Sequence, residues 1–403
     1  MKTIVFLGSH KSGSSYEAIR AADSMGYYTV LLTDRPSFID KRIEFPHAHS
    51  VRLCDLNDLE DVKGALDRLA MERFSIEAVV SFIDPYCHTA AVLARDYGFR
   101  PFSEGAIAAM LDKTSSREML DGTPYSPFYL IADGPLFTSR LARELPLVLK
   151  SPVSSGSKDV HLARTAEQYQ QAFDVLRAQY PGDPVLVEKY IGGTQYLVET
   201  LTVGGKVHIA AAVEQEITFT GRFIVTGYKM IPCENTRFCR SLKAAAESII
   251  GAHGMEDGPC HLEMKHHNNG WKLIEANPRI AGGAMNLFIE TAYGFSLVKE
   301  TLKYALGLEP DFGRKRRTDA FLQYVIVPKK GVLEKVTGKN AALNSPGVEQ
   351  VYVKSRKGSL LVPPVSMGHR YAYVIATGAS GEEARNNAKL AAGKIKFHLQ
   401  EAD

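Results

Sequence analysis

Apolar residues in the first hundred positions alternate between continuous runs and helical spacing. Ile4–Leu7 is an uninterrupted apolar run, as in a strand buried on both faces, and a polar, Gly/Ser-rich turn from Gly8 to Ser15 follows it. Ala18, Ile19, Ala22 and Met25 recur at helical spacing before a second apolar run at Tyr28–Leu32. A helix over Leu56–Met71, a strand at Ala78–Phe82 and a helix around His88–Tyr97 continue the pattern. Strands separated by helices predict a parallel sheet covered on both faces, a Rossmann-like layer. The middle of the chain differs. Runs at Leu145–Lys150, Pro184–Tyr190, Tyr196–Val203 and Val207–Val213 have short connections, which predicts antiparallel α+β structure. Helical spacing returns at Cys239–His253 and Met285–Leu306. Strands are predicted again at Phe321–Val327, Val348–Val353 and Tyr371–Ala376, with one amphipathic helix, Glu382–Leu399, closing the pattern.

Composition narrows the function classes. At 403 residues the chain is too long for one ordinary core, and its 45% hydrophobic and 23% charged residues are those of a globular protein. A net charge of +3 from 48 basic and 45 acidic residues gives no reason to expect nucleic-acid or membrane-surface partners. Five scattered cysteines without a CxxC pair argue against a disulfide framework or a structural zinc. No apolar run has signal-peptide or membrane-spanning character, so the expected location is the cytoplasm. The basic run Arg314-Lys315-Arg316-Arg317 reads as a solvated connector between domains.

The Gly8–Ser15 loop follows a strand and opens a helix, so nucleotide fingerprints must be tested on it. A Walker A loop needs lysine where this chain has Ser14, and a dinucleotide fingerprint needs glycine where it has His10. Asp34 ends the second strand, where a ribose partner would sit, but the loop itself argues against an NAD site. Contact with a substrate stays open for this loop, because open α/β sheets bind ligands beyond the carboxyl ends of their strands.

The strongest chemical signal lies downstream. His261-Leu262-Glu263-Met264-Lys265 and Leu273-Ile274-Glu275-Ala276-Asn277 flank a turn at Asn268-Asn269-Gly270, which predicts a β-hairpin. Side chains repeat every second residue along a strand, so Glu275, Asn277 and Arg279 share one face, and Glu263 can meet them from the opposite strand. Two carboxylates and an amide oxygen form a hard donor set that suits Mg²⁺ shared with substrate phosphates. Gly282 and Gly283 follow with free backbone N–H groups. Four such polar groups in otherwise apolar strands would be costly to bury without a ligand. Upstream, Lys150 ends an apolar strand and opens the loop Ser151-Pro152-Val153-Ser154-Ser155-Gly156-Ser157-Lys158-Asp159-Val160, whose small residues can fold over phosphates. A buried strand then ends in Glu188-Lys189-Tyr190-Ile191 before Gly192-Gly193.

In order and spacing, these segments resemble the ATP-grasp superfamily over about residues 110–290. The resemblance implies an ATP-grasp fold with a Rossmann-like N-terminal domain (1–110), an ATP-grasp domain of two subdomains (111–317, linker near 188–192) and a C-terminal α+β lid domain (318–403). It implies ATP contacts from Lys113, Lys150, Ser155, Gly156 and Ser157, and adenine recognition by Glu188 and the backbone of Lys189 and Ile191. Gln195 stands where the family usually has a ribose-binding glutamate, and Ser151 and Asp159 depart from the family's K-P-V-x-S-S-G-S-K-G-V loop. Glu263, Glu275 and Asn277 match the metal positions, with Mg²⁺ as the cofactor and Mn²⁺ able to substitute. Arg279, Gly282 and Gly283 match catalytic positions.

Cys260–Lys265, Arg279–Gly283 and the stretch 318–399 look most like L-amino-acid ligases of the dipeptide synthetase type, and Lys229 falls near their active-site loop residue. The implied activity is ATP-dependent joining of amino acids through an acyl phosphate, with small-molecule partners and a homodimer allowed. Biotin-carboxylase-like and purine-synthesis ATP-grasp enzymes, an NAD oxidoreductase and a non-catalytic ATP-binding protein are the alternatives. Asp84, before Pro85, reads either as a helix cap or as a contact for a cationic substrate such as arginine, as in arginine-preferring dipeptide ligases.

Overall fold

The N-terminal apolar runs become Lys2–Leu7, Tyr28–Thr33 and Ser75–Val80, which join Ser50–Leu53 in one sheet of order 50–53, 28–33, 2–7, 75–80. All its pairings are parallel. The computed structural model describes residues 1–154, 159–219, 223–233, 236–268 and 270–401. Ile4 and Phe6 enter the core on one face of this sheet, and Val5 and Leu7 enter a second core on the other. Burial on both faces is why the run carries no polar alternation.

The helix Ser14–Ser24 packs against Leu297–Ala305 and carries Glu17 into the core at 4% exposure. Asn286 Nδ2 donates to Glu17 Oε2 at 2.6 Å, but burial outweighs this bond and pushes the carboxyl up to about 7 from 4.5. A raised folded-state pKa means that stability is fully present below pH 4.5 and is lost as pH rises through 7. Glu17→Gln should therefore raise stability at pH 8 by about 2–3 kcal/mol and change little at pH 4.5. Thermal unfolding of both proteins across that range checks the expectation.

Besides a three-stranded sheet of 360–361, 331–337 and 396–400, the antiparallel strands form two sheets. The larger has eight strands in the order 270–277, 258–267, 194–203, 206–219, 223–230, 319–325, 372–378, 348–353. The smaller has four, in the order 129–132, 185–189, 147–150, 160–163. It has its own core, in which Tyr169 and Phe173 of the helix Ala166–Gln179 meet Leu147, Leu149 and Val187. The large sheet runs without a break across residue 318, because Phe223–Met230 pairs antiparallel with Asp319–Val325. The basic run lies in the segment that leads from the helix Leu297–Ala305 to the strand Asp319–Val325. Arg314 lies over the Tyr293 ring and Arg316 donates to Glu290 O, which fastens the segment to the end of the helix Met285–Tyr293.

Two helical expectations are corrected. Met285–Leu306 is two helices, Met285–Tyr293 and Leu297–Ala305, separated at Gly294, whose φ of 73° ends the first. Ser296 caps the second by accepting from the Lys299 amide. The helix expected over Glu382–Leu399 is Gly381–Ala392 followed by the strand Lys396–Gln400, which pairs with Gly331–Thr337. Gly393 is a poor helix former, and Ile395, Phe397 and Leu399 alternate with Lys396 and His398 at the period of a strand.

Candidate active site

The expected hairpin is present as Gly258–His267 and Gly270–Asn277, with Glu263 directly opposite Glu275 and His261 opposite Asn277. Like charges placed opposite each other repel, and three neighbours offset that repulsion. Lys113 Nζ lies 3.2 Å from Glu275 Oε1, Gln195 Nε2 donates to Glu263 Oε2 at 2.8 Å, and His261 Nε2 lies 3.6 Å from Glu263 Oε1. Behind His261 stands Glu199, 1% exposed, with Oε1 on His261 Nδ1 at 2.5 Å and Oε2 accepting from the Ala281 amide. Burial alone would depress the imidazole, but Glu199 and then Glu263 outweigh it and raise His261 to about 10. The imidazolium is thus clamped between two carboxylates and orients Glu263.

Glu263, Glu275 and Asn277 line one cavity of about 340 Å³. Among the described residues no three His, Cys, Asp or Glu side chains form a metal cluster. The set here is two carboxylates and an amide. Two opposed carboxylates facing a common cavity nevertheless fit a hard divalent cation such as Mg²⁺, which also takes phosphate oxygens and water.

The opposite wall is a buried ion triad. Glu188, 5% exposed, pairs through Oε1 with Arg117 Nε and through Oε2 with Lys150 Nζ at 2.6 Å. Burial works against its charge, yet Arg117 and Lys150 together hold the carboxyl below the usual range. Burial makes the Lys150 ammonium easier to deprotonate than an exposed lysine, although Glu188 opposes this. Glu188 lines the cavity, and each of its oxygens, although paired within the protein, keeps a further lone pair for a ligand. The Lys189 amide is also engaged, donating to Phe128 O at 2.9 Å. Ile191 lines the cavity, and its carbonyl accepts from Lys265 Nζ at 2.8 Å.

A third wall carries Arg279, Gly282 and Gly283. Arg279 Nη2 lies 2.5 Å from Asp84 Oδ2, and Nη1 donates to Ile280 O. The cap reading of Asp84 is thereby corrected. It is the first residue of the helix Asp84–Asp96 rather than its cap, and its Oδ2 pairs with Arg279 while its Oδ1 has no partner among the described residues. The N-terminal loop docks on this wall. Ser14 Oγ donates to Ala281 O at 2.5 Å, and a Cβ on Gly13 (φ 85°) would lie 2.9 Å from Gly283 N, so only glycine fits. Asp34, weighed as a ribose partner, accepts from Tyr86 Oη at 2.9 Å.

Lys113, Lys150, Glu188, Lys189, Ile191, Gln195, Glu263, Glu275, Asn277, Arg279, Gly282 and Gly283 thus converge on one cavity. Ser155, Gly156 and Ser157 lie outside the described residues. Lys229 is a correction. It does not line the cavity, and a Cβ on Gly381 would lie 3.1 Å from its Cε, so it faces the helix Gly381–Ala392. Its neighbour Tyr228 takes the cavity face, one residue out of phase. Sequence reading missed Arg117, His261, Lys265 and Arg370 as site residues. His261 and Lys265 were legible from the same alternation that revealed Glu263.

Comparison with known proteins follows this geometry. Residues 143–286 match the ATP-grasp domain model, and residues 323–400 match the model described as L-amino acid ligase C-terminal domain 2. Residues 143–286 thus form an ATP-grasp domain. The crystal structure of an L-amino acid ligase from Bacillus licheniformis superposes on the chain with a TM-score of 0.83 at 18% identity. The match covers 100% of this chain and 99% of that one. The uncharacterized protein y4rH of Sinorhizobium fredii is 25% identical over 98% of this chain and 82% of its own length. Mouse carnosine synthase 1 is 27% identical over 66% of this chain, which spans only 35% of that protein. The fold of that ligase therefore extends over the whole chain, and residues 323–400 match the L-amino acid ligase C-terminal domain. Among the described residues no helix is long and apolar enough to cross a membrane.

Proposed function

We propose that the chain is an ATP-dependent carboxylate–amine ligase that joins amino acids through an acyl phosphate in the cytoplasm. The observation that carries this reading is the single cavity in which Lys113 and Lys150 face Glu263, Glu275 and Asn277, with Arg279, Gly282 and Gly283 beside them. Lys113 and Lys150 bind the phosphates of ATP. Glu263, Glu275 and Asn277 would hold Mg²⁺, or Mn²⁺ in its place, which neutralises phosphate charge when bound. A carboxylate oxygen of the donor amino acid attacks the γ-phosphorus, and ADP leaves. The neutral amine of the second amino acid attacks the acyl carbon, phosphate leaves, and the nitrogen loses a proton. Arg279 and the Gly282 and Gly283 amides stabilise the oxyanion that forms between these steps.

The C-terminal match to the L-amino acid ligase type supports free amino acids over a carboxylase or nucleotide-precursor chemistry. A release assay over all pairs of common L-amino acids tests the reading. Phosphate and ADP are expected with at least one pair. Pyrophosphate would mean adenylation, and ATP binding without turnover would make the chain a non-catalytic nucleotide binder.

A further inference from the structure

One guanidinium on the cavity wall has no part in the chemistry above. Arg370 precedes the strand Ala372–Gly378 and lines the cavity beside Met367. Its Nε donates to Met367 O at 3.0 Å, and its Cζ lies 3.8 Å from the centre of the Tyr324 ring. Nη1 is shielded from solvent and has no hydrogen-bond partner among the described residues. The Tyr324 hydroxyl is in the same condition. The two groups are neighbours, because a Cβ on Gly283 would lie 3.1 Å from Tyr324 Oη and 3.9 Å from Arg370 Nη2. Gly283 and Arg370 line the cavity, with Tyr324 behind them, and the missing side chain of Gly283 leaves the space beside both groups unfilled.

A buried guanidinium cannot escape its charge by losing a proton. The Tyr324 ring offsets only part of the desolvation. Arg279 is matched by Asp84, Lys113 by Glu275, and Lys150 with Arg117 by Glu188, while Lys265 donates to the Ile191 carbonyl and lies over the Tyr190 ring. Arg370 has no carboxylate partner among the described residues, so its counter-charge must enter with a ligand. A planar fork of donors beside a hydroxyl matches a carboxylate.

We propose that Arg370 and Tyr324 form a subsite for the α-carboxylate of the amine-bearing amino acid, the acceptor of the ligation. This rests on the ligase reading above for the word acceptor. The donor's carboxylate is the nucleophile toward ATP, and a guanidinium paired with it would hold its attacking oxygen and quench it. The acceptor's carboxylate passes through the reaction unchanged. The subsite therefore selects amino acids over simple amines.

The test uses the full chain with MgADP, the twenty common L-amino acids and their α-carboxamides, with binding followed by calorimetry. At least one amino acid should bind at least about 10-fold more tightly than its carboxamide, as loss of a charge-assisted contact implies. Tyr324→Phe, which keeps the shape of the core, should shrink that preference several-fold, and Arg370→Met should abolish it while MgADP affinity stays within about twofold. If Arg370→Met does not fold, Arg370→Lys should show a reduced preference in its place. Equal binding of acids and carboxamides by the wild type overturns the subsite, as does a preference that survives both Tyr324→Phe and the Arg370 variant. Turnover then separates the two readings. Phosphate release lost only with acceptor acids, and retained with acceptor carboxamides, supports the subsite as the acceptor's. Loss that follows the donor instead overturns it. A wild type that discriminates in binding but releases no phosphate with any pair refutes the ligase reading and the acceptor assignment, leaving a bare carboxylate site.

Discussion

Glu188→Gln should lower stability by about 3–5 kcal/mol, measured by urea unfolding, because it leaves two buried cations facing a neutral amide. Arg117 and Glu188 are 2% and 5% exposed, and Lys150 is 5% exposed, so water cannot replace the lost charge. Arg117 would keep only its bonds to the carbonyls of Leu273 and Ile274. Combining the change with Lys150→Met should recover part of the stability, since one of the stranded cations is then removed. A side chain that read the adenine would behave differently. Its replacement would leave stability unchanged and alter the preference for ATP over GTP, and that result would sink the triad's structural role.

Arg279→Met should reduce kcat for phosphate release by about 10²–10³-fold while KM for MgATP changes little, the loss typical of a removed oxyanion donor. The variant also strands Asp84, whose Oδ1 already lacks a partner among the described residues and is shielded from solvent. Adding Asp84→Asn should therefore restore stability without restoring the rate. Stopped-flow phosphate detection together with thermal unfolding separates the two effects. A double variant that regained turnover would show that Arg279 matters only for packing.

How much of this site was legible depends on how local its signals are. Glu263, Glu275 and Asn277 were readable because two short strands and a turn determine which side chains share a face. Lys113 and Lys150 followed from the resemblance of their segments to a family pattern. The partners that make these residues work were not readable. Arg117 meets Glu188 across 71 positions and Arg279 meets Asp84 across 195, and no local period encodes such pairs. Lys229 shows the opposite failure. It was placed by resemblance to an active-site loop residue, but the strand 223–230 turns Tyr228 rather than Lys229 into the cavity. The N-terminal layer was read well because burial on both faces leaves uninterrupted apolar runs. Ser50–Leu53, a polar strand at the edge of that sheet, leaves no such run and was missed.

The unbroken large sheet changes how the cavity can open. Residues 319–325 are joined to the central strands by backbone hydrogen bonds and carry 372–378 and 348–353 in turn. The wall that holds Met367 and Arg370 is thereby fastened edge to edge and has no hinge of its own. The four-stranded sheet that carries Lys150 and Lys189 has a separate core and shares no strand pairing with the large one. What ties its cavity wall to the large sheet is side-chain bonding, from Arg117 and Lys150 to the carbonyls of Leu273 and Ile274, so the two walls meet through a polar seam rather than through shared strands.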